Sequence, residues 1–233
     1  MIDSRKNIQE LISFLYGQEQ ANDITSSLWQ RLESFKQDHP QLLVNFPTQQ
    51  MLTQEDIILI TYGDQFRESN RSPLQSLNTF VQSKLKDVIS GVHILPFYPY
   101  SSDDGFSVID YRRVAPELGT WQDIALLGEN FNLMFDLVAN HISAKSEWFQ
   151  SFLAGKEPFT EYFPVFEPNV DLSQVVRPRA TPVLTSFQTT NGLRPVWTTF
   201  SEDQIDLDYN NPQVLLEMVD VLLFYVAHGA QII

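Results

Sequence analysis

The chain contains no cysteine. This absence excludes disulfide frameworks, thiol nucleophiles and thiolate metal sites. Long apolar runs are also missing, since no stretch approaches the roughly 18–20 uninterrupted apolar residues of a membrane span, and Glu217 and Asp220 interrupt the best candidate. Residues 1–10 carry charges but are not followed by a long apolar run, so the N-terminus does not resemble a signal peptide. We therefore expect a cytoplasmic protein with no membrane partner.

Positive charge is scarce in this sequence. The 233 residues include 15 Lys and Arg against 29 Asp and Glu, a net charge of −14. Such a surface repels nucleic acid and anionic membranes, so neither is an expected partner. The hydrophobic fraction of 43% and aromatic fraction of 12% predict a packed core in one large domain or about one and a half ordinary ones.

Helical and strand patterns alternate along the chain. Residues 1–55 show apolar residues at helical spacing and are predicted as an N-terminal helical extension. From residue 56, short apolar runs alternate with amphipathic helices, giving three βα units over 56–142, a long irregular segment over 143–208, and a helix and the start of a fourth strand over 209–233. Alternation of this kind predicts a parallel α/β sheet, either doubly wound or a TIM barrel. The first strand is followed by no Gly-x-Gly-x-x-Gly and no P-loop, which weakens a nucleotide-binding interpretation.

Polar and aromatic side chains follow the predicted strands. The first strand ends at Asp64, the second leads to Asp103 and Phe106, and the third runs through Asp136 to Asn140 and His141. The carboxyl ends of parallel strands share one edge, where α/β proteins place their active sites. Carboxylates, amides and imidazoles can hydrogen-bond sugar hydroxyls, and aromatic rings can cover the C–H face of a pyranose.

Taken singly, each of these residues has a simpler explanation. An aspartate at a strand end is more often a helix cap or a loop hydrogen-bonding group, and Phe106 could be a core residue. His93 lies within a strand and is predicted to be structural. Asp206 and Asp208, ahead of the last helix, are predicted as loop and capping residues. Three strand ends carrying such residues together favour a sugar site.

The segment Asp136-Leu137-Val138-Ala139-Asn140-His141 resembles the first signature region of the α-amylase superfamily, glycoside hydrolase family 13. Three further segments are similar to its sucrose-phosphorylase subgroup: Asp103-Asp104-Gly105-Phe106, Arg177-Pro178-Arg179 and Val196-Trp197-Thr198-Thr199-Phe200. The resemblance covers about residues 56–233, and the N-terminal extension resembles that of glucosylglycerate-phosphorylase-like members. It implies a TIM (β/α)₈ barrel, here cut after about three and a half strands, with an inserted B-type domain after strand three.

The resemblance also implies roles for individual residues. Asp103 and His141 would hold glucose beside the scissile bond, Phe106 would form part of the apolar wall, and Phe200 would line the acceptor side. Asp136 and Asn140 would brace the site. Sucrose phosphorylases lack the calcium of true amylases, so neither a metal nor a cofactor is expected. Inorganic phosphate would be the co-substrate of the small sugar.

The implied mechanism is retaining, with a carboxylate nucleophile and a carboxylic acid/base. The family places the nucleophile in an Arg-x-Asp motif at the end of strand four, beyond Ile233, and the acid/base later still. We therefore expect no catalytic residue within this sequence. An open half-barrel would also expose sheet edges. These points lead to the expectation of a truncated, inactive chain.

Two arginines bear on the choice between phosphorylase and hydrolase. Arg177 and Arg179 lie in an acidic segment, and arginine binds phosphate through paired hydrogen bonds. The resemblance favours Arg179 for this role, whereas pairing with Glu167 or Asp171 is the simpler alternative. An α-glucosidase or amylase-type hydrolase fragment, a non-catalytic sugar-binding relic and an assembly role for residues 1–50 also stay open.

Overall fold

The computed structural model describes residues 4–44, 53–176 and 179–233. Seven α-helices lie in these ranges: α1 Ser4–Tyr16, α2 Gln18–Asp38, α3 Pro40–Val44, α4 Pro73–Lys84, α5 Trp121–Gly128, α6 Glu147–Leu153 and α7 Pro212–Ala227. The same ranges hold eight strands: β1 Ile58–Thr61, β2 Gly91–Ile94, β3 Asn132–Phe135, β4 His141–Ser143, β5 Leu184–Thr189, β6 Gly192–Trp197, β7 Gln204–Asp206 and β8 Ala230–Ile232.

The chain divides into two compact units. One comprises Met1–Met51 and Tyr209–Ala227, and the other comprises Leu52–Asp208 and His228–Ile233. The first unit thus combines the predicted N-terminal helices with α7, a partner that periodicity alone does not reveal. No described helix is long and apolar enough to cross a membrane.

The first unit packs its helices around a small apolar cluster. Ile12 of α1 and Ile24 of α2 are each 5% exposed, and Leu215 of α7 packs against them. Arg31 of α2 forms an ion pair with Asp220 of α7, with Nε and Oδ2 3.0 Å apart. In α1, however, Leu11, Phe14 and Leu15 are exposed, so only part of its apolar pattern is buried.

The second unit is built on a parallel sheet with strand order β1-β2-β3-β8. Its register aligns Ile58 with Gly91 and Gly91 with Asn132, so the carboxyl ends of the first three strands are level. Core residues Leu77, Ile94, Leu127 and Leu133 are fully buried. The predicted alternation of strands and helices is confirmed, and each strand is shorter than its apolar run.

Helix starts in the second unit follow from local capping chemistry. Ser72 accepts a hydrogen bond from the backbone N–H of Gln75, and Pro73 occupies the first turn of α4. Thr120 and Asp123 form a capping box at the start of α5, where each side chain accepts from the other residue's backbone N–H. These caps fix where each helix leaves the loops that follow the strands.

The segment 143–208 is more regular than the sequence suggests. It contains α6 and a β-hairpin formed by β5 and β6, closed at Gly192 with φ of 94°. Strand β7 pairs antiparallel with β4, placing His141 opposite Asp206. The prediction of Asp206 as a loop or capping residue is wrong, because its backbone belongs to this ladder. A three-residue strand gives too short a pattern to recognise from sequence.

Candidate functional site

The loop after β2 carries Asp103 and Phe106 in an unusual backbone conformation. Asp103, Asp104 and Gly105 have φ of 56°, 50° and 105° and form a single 3₁₀ turn. A Cβ at Gly105 would lie 2.6 Å from the carbonyl oxygen of Pro96. The loop therefore requires glycine there, and Asp103 is exposed in the turn.

His141, the first residue of β4, is only 6% exposed and lies against this loop. Its Nε2 is 2.8 Å from the carbonyl oxygen of Phe106, which can only accept a hydrogen bond. Its Nδ1 is 3.4 Å from Nδ2 of Asn140, which can only donate. These two neighbours favour the neutral imidazole with its proton on Nε2. The shorter contact to the Phe106 carbonyl outweighs the amide nitrogen of Gln204, which lies 3.2 Å from the same Nε2 and would favour the other tautomer.

The electrostatic environment of His141 favours the same form. Burial lowers the pKa of its imidazole below 6.5, and this outweighs the hydrogen bond to Phe106 and the charges of Asp206 and Asp103, which raise it. A neutral ring with one fixed donor can recognise a hydroxyl group without adding charge to the site.

Gln204, in β7, lies between His141 and Asp103. Its Nε2 donates to Oδ2 of Asp103 over 2.9 Å and lies 3.2 Å from Nε2 of His141. Its Oε1 accepts a hydrogen bond from Ser201 Oγ at 2.9 Å, which orients the amide. Gln204 is 2% exposed and was not among the residues predicted from the sequence. No motif marked it, and a glutamine in an irregular segment carries little signal.

Phe200 and Asn140 complete the surroundings of His141. The Phe200 ring lies 5.1 Å from the imidazole, centroid to centroid, at an angle of 58°. Asn140 Nδ2 donates to Oδ2 of Asp206 over 3.2 Å, and Asp206 also accepts hydrogen bonds from the backbone N–H and hydroxyl of Thr199. The structure thus brings five predicted residues, Asp103, Phe106, Asn140, His141 and Phe200, into one group.

Asp136 lies at the end of β3 but has different partners. Its Oδ2 is 2.9 Å from Nε2 of His93, a residue predicted to be structural, and both side chains are partly buried. Its carbonyl oxygen accepts a hydrogen bond from the Tyr98 hydroxyl at 3.3 Å. Asp136 therefore ties β3 to β2 and supports the strand ends that carry the loops.

Asp64 and Arg179 stand apart from this group. Asp64 forms an ion pair with Arg67, with Oδ2 and Nη2 2.7 Å apart. Arg179 is exposed and, within the described ranges, forms no hydrogen bond or ion pair, including with Glu167 or Asp171. Arg177 lies outside the described residues. The structure brings neither Asp64 nor Arg179 into contact with His141.

The described ranges contain no candidate metal site. No group of three or more His, Asp or Glu side chains there is arranged to hold a metal ion. The cluster can instead accommodate a neutral, hydroxyl-rich ligand, since it holds a carboxylate acceptor at Asp103, a fixed donor at His141 and the aromatic ring of Phe200.

A family model described as alpha amylase, catalytic domain, matches residues 61–231. The chain belongs to the alpha-amylase family. The match runs from the last residue of β1 into β8, and it includes the loops after the strands and the segment 143–208. It confirms the family resemblance inferred from the motifs at Asp103 and Asp136, and with it a parallel βα architecture of the TIM-barrel type.

Relatives of this alpha-amylase family member include phosphorylases. A glucosylglycerate phosphorylase of Spirochaeta thermophila is 51% identical over 97% of the chain, and one of Escherichia coli is 48% identical over 97%. The sucrose 6(F)-phosphate phosphorylase of Thermoanaerobacterium thermosaccharolyticum is 33% identical over 78%. The chain spans about 40% of the length of these relatives, 39%, 40% and 40% respectively.

Solved structures give the same assignment of fold. The crystal structure of sucrose 6F-phosphate phosphorylase from Thermoanaerobacter thermosaccharolyticum superposes with a TM-score of 0.69 at 32% identity. It covers 77% of this chain, which matches 39% of that one. A trehalulose synthase superposes with a TM-score of 0.66 at 23% identity, a likeness in fold alone.

Proposed function

We propose that this chain forms the glucose-holding half of the active site of a retaining α-glucoside phosphorylase acting on a glucosylglycerate-type donor. The donor class rests on similarity over the whole chain, since three glucosylglycerate phosphorylases match 97%, 98% and 97% of it at 51%, 48% and 48% identity. Sucrose phosphorylases match a smaller share, for example 65% at 34% identity. A sucrose-type donor is the second candidate substrate.

The observation that carries this proposal is the grouping of Asp103, His141 and Phe200 around the buried amide of Gln204. Asp103 is exposed beside a neutral imidazole, and the aromatic ring of Phe200 lies 5.1 Å from that imidazole. In the proposed complex, Asp103 accepts hydrogen bonds from glucose hydroxyls and His141 donates one from Nε2. Binding glucose there requires His141 to exchange its bond to the Phe106 carbonyl for one to the sugar.

The proposed reaction proceeds through a covalent glucosyl-enzyme. A carboxylate attacks the anomeric carbon as the glycosidic C–O bond breaks, and a carboxylic acid protonates the leaving oxygen. A phosphate oxygen then attacks the same carbon and releases the carboxylate, giving glucose 1-phosphate with retained configuration. We assign neither carboxyl group to a residue of this chain. Its residues hold the sugar while those groups act.

Phosphate, in this proposal, is bound by Arg179. An exposed arginine without a partner among the described residues is free to pair with a dianion, which a chain of net charge −14 otherwise repels. Without this contact, water would open the glucosyl-enzyme and the protein would be a hydrolase. Neither step requires a metal or an organic cofactor.

Supporting residues surround the proposed site. Asp136 holds its strand end through His93, and Asn140 orients His141 from the Nδ1 side. Asp64 is proposed to reach the sugar only after its ion pair with Arg67 opens. We further propose that 143–208 is an inserted domain of the B type, which contributes Phe200 and Gln204.

Product analysis tests the proposal directly. The protein expressed from its complete coding sequence is incubated with inorganic phosphate and either glucosylglycerate or sucrose, and the products are separated and quantified. Glucose 1-phosphate formed faster from glucosylglycerate supports the proposal. Free glucose as the only product would show a hydrolase instead.

Calorimetric titration with glucose separates an enzyme from a sugar-binding relic. The phosphorylase predicts both glucose binding and turnover, whereas a relic binds glucose without turnover of any donor. Absence of glucose binding, with Asp103→Asn and wild type indistinguishable, would exclude the assigned sugar site altogether.

A further inference from the structure

Asp203, immediately before β7, lies at the centre of a cluster of four serines. Its Oδ2 accepts hydrogen bonds from Ser101 and Ser102, each at 2.5 Å, and from Ser107 at 2.9 Å. Ser143 Oγ lies 3.4 Å from Oδ1. We name these five residues the serine cluster. Ser101, Ser102 and Ser107 flank the turn that contains Asp103, so one carboxylate connects both sides of this loop to the β4–β7 ladder.

Backbone contacts of Asp203 reinforce the same connection. Its carbonyl oxygen accepts from the N–H of Ala144 at 3.1 Å. It also lies 2.8 Å from the Ser107 hydroxyl, whose one proton is shared between this oxygen and Oδ2. Ser107 and Ser143 are fully buried. The hydroxyls of Ser101, Ser102 and Ser107 can each donate to this carboxylate, which only accepts when it is ionised. The Ser143 hydroxyl lies 2.5 Å from Ser101 Oγ and can donate to it.

The loop needs such support because its backbone is unfavourable. Asp103 and Asp104 both have positive φ, a region that costs free energy for residues other than glycine and persists only when the surroundings impose it. Within the loop, the N–H of Phe106 bonds the carbonyl of Asp103 at 3.0 Å, and that of Ser101 bonds the carbonyl of Ser107 at 3.0 Å. The serine cluster adds the contacts that tie this closed loop to the rest of the unit.

Gln204, the next residue, holds the loop from the other side. Its amide bonds the carboxylate of Asp103 itself, at 2.9 Å. Consecutive side chains thus make different contacts, Asp203 with the flanks of the turn and Gln204 with its functional group.

We infer that Asp203 and Gln204 are positioning residues that hold the Ser101–Ser107 loop, and with it Asp103, in the sugar-binding conformation. The inference rests on the proposed function, because the sugar role of Asp103 is part of that proposal. Neither residue needs to touch the sugar. Asp203 sets where the loop lies, and Gln204 sets where the carboxylate of Asp103 points.

The first experiment measures the loop without any sugar. Hydrogen–deuterium exchange is followed in peptides covering 101–107 for wild type, Asp203→Asn and the control Glu202→Gln, which removes a charge from the exposed neighbouring side chain. We expect faster exchange in Asp203→Asn, confined to this loop and the β4–β7 ladder, and no change in Glu202→Gln. Unchanged exchange, or a uniform increase across the chain, would overturn the inference for Asp203.

The second experiment measures glucose affinity in the same variants and in Gln204→Met, which keeps the side-chain length but removes the amide. Losing one hydrogen bond to a charged group weakens binding by about tenfold or more. We expect that loss in Asp203→Asn and Gln204→Met, with Glu202→Gln equal to wild type. If Gln204→Met folds normally and binds glucose with wild-type affinity, the positioning role of Gln204 is overturned.

The two readouts separate this inference from the proposed function. If the wild-type protein binds no glucose, the proposed sugar site fails, and the exchange experiment still decides whether Asp203 holds the loop. If wild type binds glucose and Asp203→Asn binds it equally well with an unchanged loop, the positioning role fails while the proposed function stands.

Discussion

Gln204 donates a hydrogen bond from Nε2 to Oδ2 of Asp103 over 2.9 Å, across 101 residues of sequence. The same nitrogen lies 3.2 Å from Nε2 of His141. One buried amide thus lies between the loop after β2 and the start of β4. The hydrogen bond from this amide fixes where the carboxylate of Asp103 points beside the buried imidazole.

We predict that His141 is neutral at pH 7 with its proton on Nε2. The Phe106 carbonyl accepts that proton, the Asn140 amide donates to Nδ1, and burial lowers the pKa below 6.5. A neutral form favoured by folding contributes its full stability above pH 6.5, and this contribution declines as the pH falls below that value. Imidazole ¹⁵N chemical shifts measured against pH report both the tautomer and the titration.

Assignment of the His141 signal uses His141→Asn, since the chain has only 4 histidines and one set of peaks disappears. Asn140→Ala is the informative variant, because it removes the donor at Nδ1 and keeps the Phe106 contact. A protonated His141 at pH 7, or the proton on Nδ1 in wild type, would contradict the assignment.

Much of the sheet and part of the site are predictable from sequence for clear physical reasons. Buried parallel strands such as β2 read as short apolar runs, and the residues after them lie at one edge. Asp103, Asn140 and His141 were identified by this logic together with the family motif. The structure places all three in one group, around the buried amide of Gln204.

The rest depends on contacts that leave no local pattern. Gln204 lies in the three-residue strand β7, and Asp203 directly precedes it. Three residues are too few for a periodic apolar pattern to be recognised. Serines flanking a turn are ordinary loop residues, so the serine cluster becomes visible only when Asp203 is placed beside them. Long-range pairing likewise put Asp206 in a strand and α7 in the same unit as the N-terminal helices.

We predict that Arg179→Ala raises the KM for phosphate by about tenfold or more, since paired charge-assisted hydrogen bonds are lost. Hydrolysis of the same donor should stay unchanged, because water needs no cationic partner. Steady-state kinetics with phosphate varied at saturating donor measures the effect. Arg194→Ala, at another exposed arginine in the segment 143–208, is the control. If wild type, Arg179→Ala and Arg194→Ala have the same KM for phosphate, Arg179 does not bind phosphate.

We predict that the serine cluster loses its contribution to stability in acid. Burial raises the pKa of Asp203, but the hydrogen bonds from Ser101, Ser102 and Ser107 and the charge of Lys145 bring it below the ordinary 3.8. A carboxyl with a lowered pKa contributes fully above that value and loses its contribution as the pH falls through the folded-state pKa.

Urea unfolding at a series of pH values measures the effect of Asp203. The difference in the free energy of unfolding between wild type and Asp203→Asn should be constant from neutral pH down to about pH 4 and should shrink below it. A difference that grows as the pH falls would have the wrong sign for an ionised Asp203.

The last prediction concerns Gly105, where backbone conformation and close contact act together. Alanine is strained at φ of 105°, which costs about 1–3 kcal/mol, and its Cβ would meet the Pro96 carbonyl oxygen at 2.6 Å. Gly192→Ala is a matched control, since its φ is 94° with nothing within 4 Å of a new Cβ. We expect both variants to have a lower free energy of unfolding than wild type, and Gly105→Ala to have the lowest. Only Gly105→Ala should also weaken glucose binding. Equal losses in both would show that the Pro96 contact relaxes freely and does not set the position of Asp103.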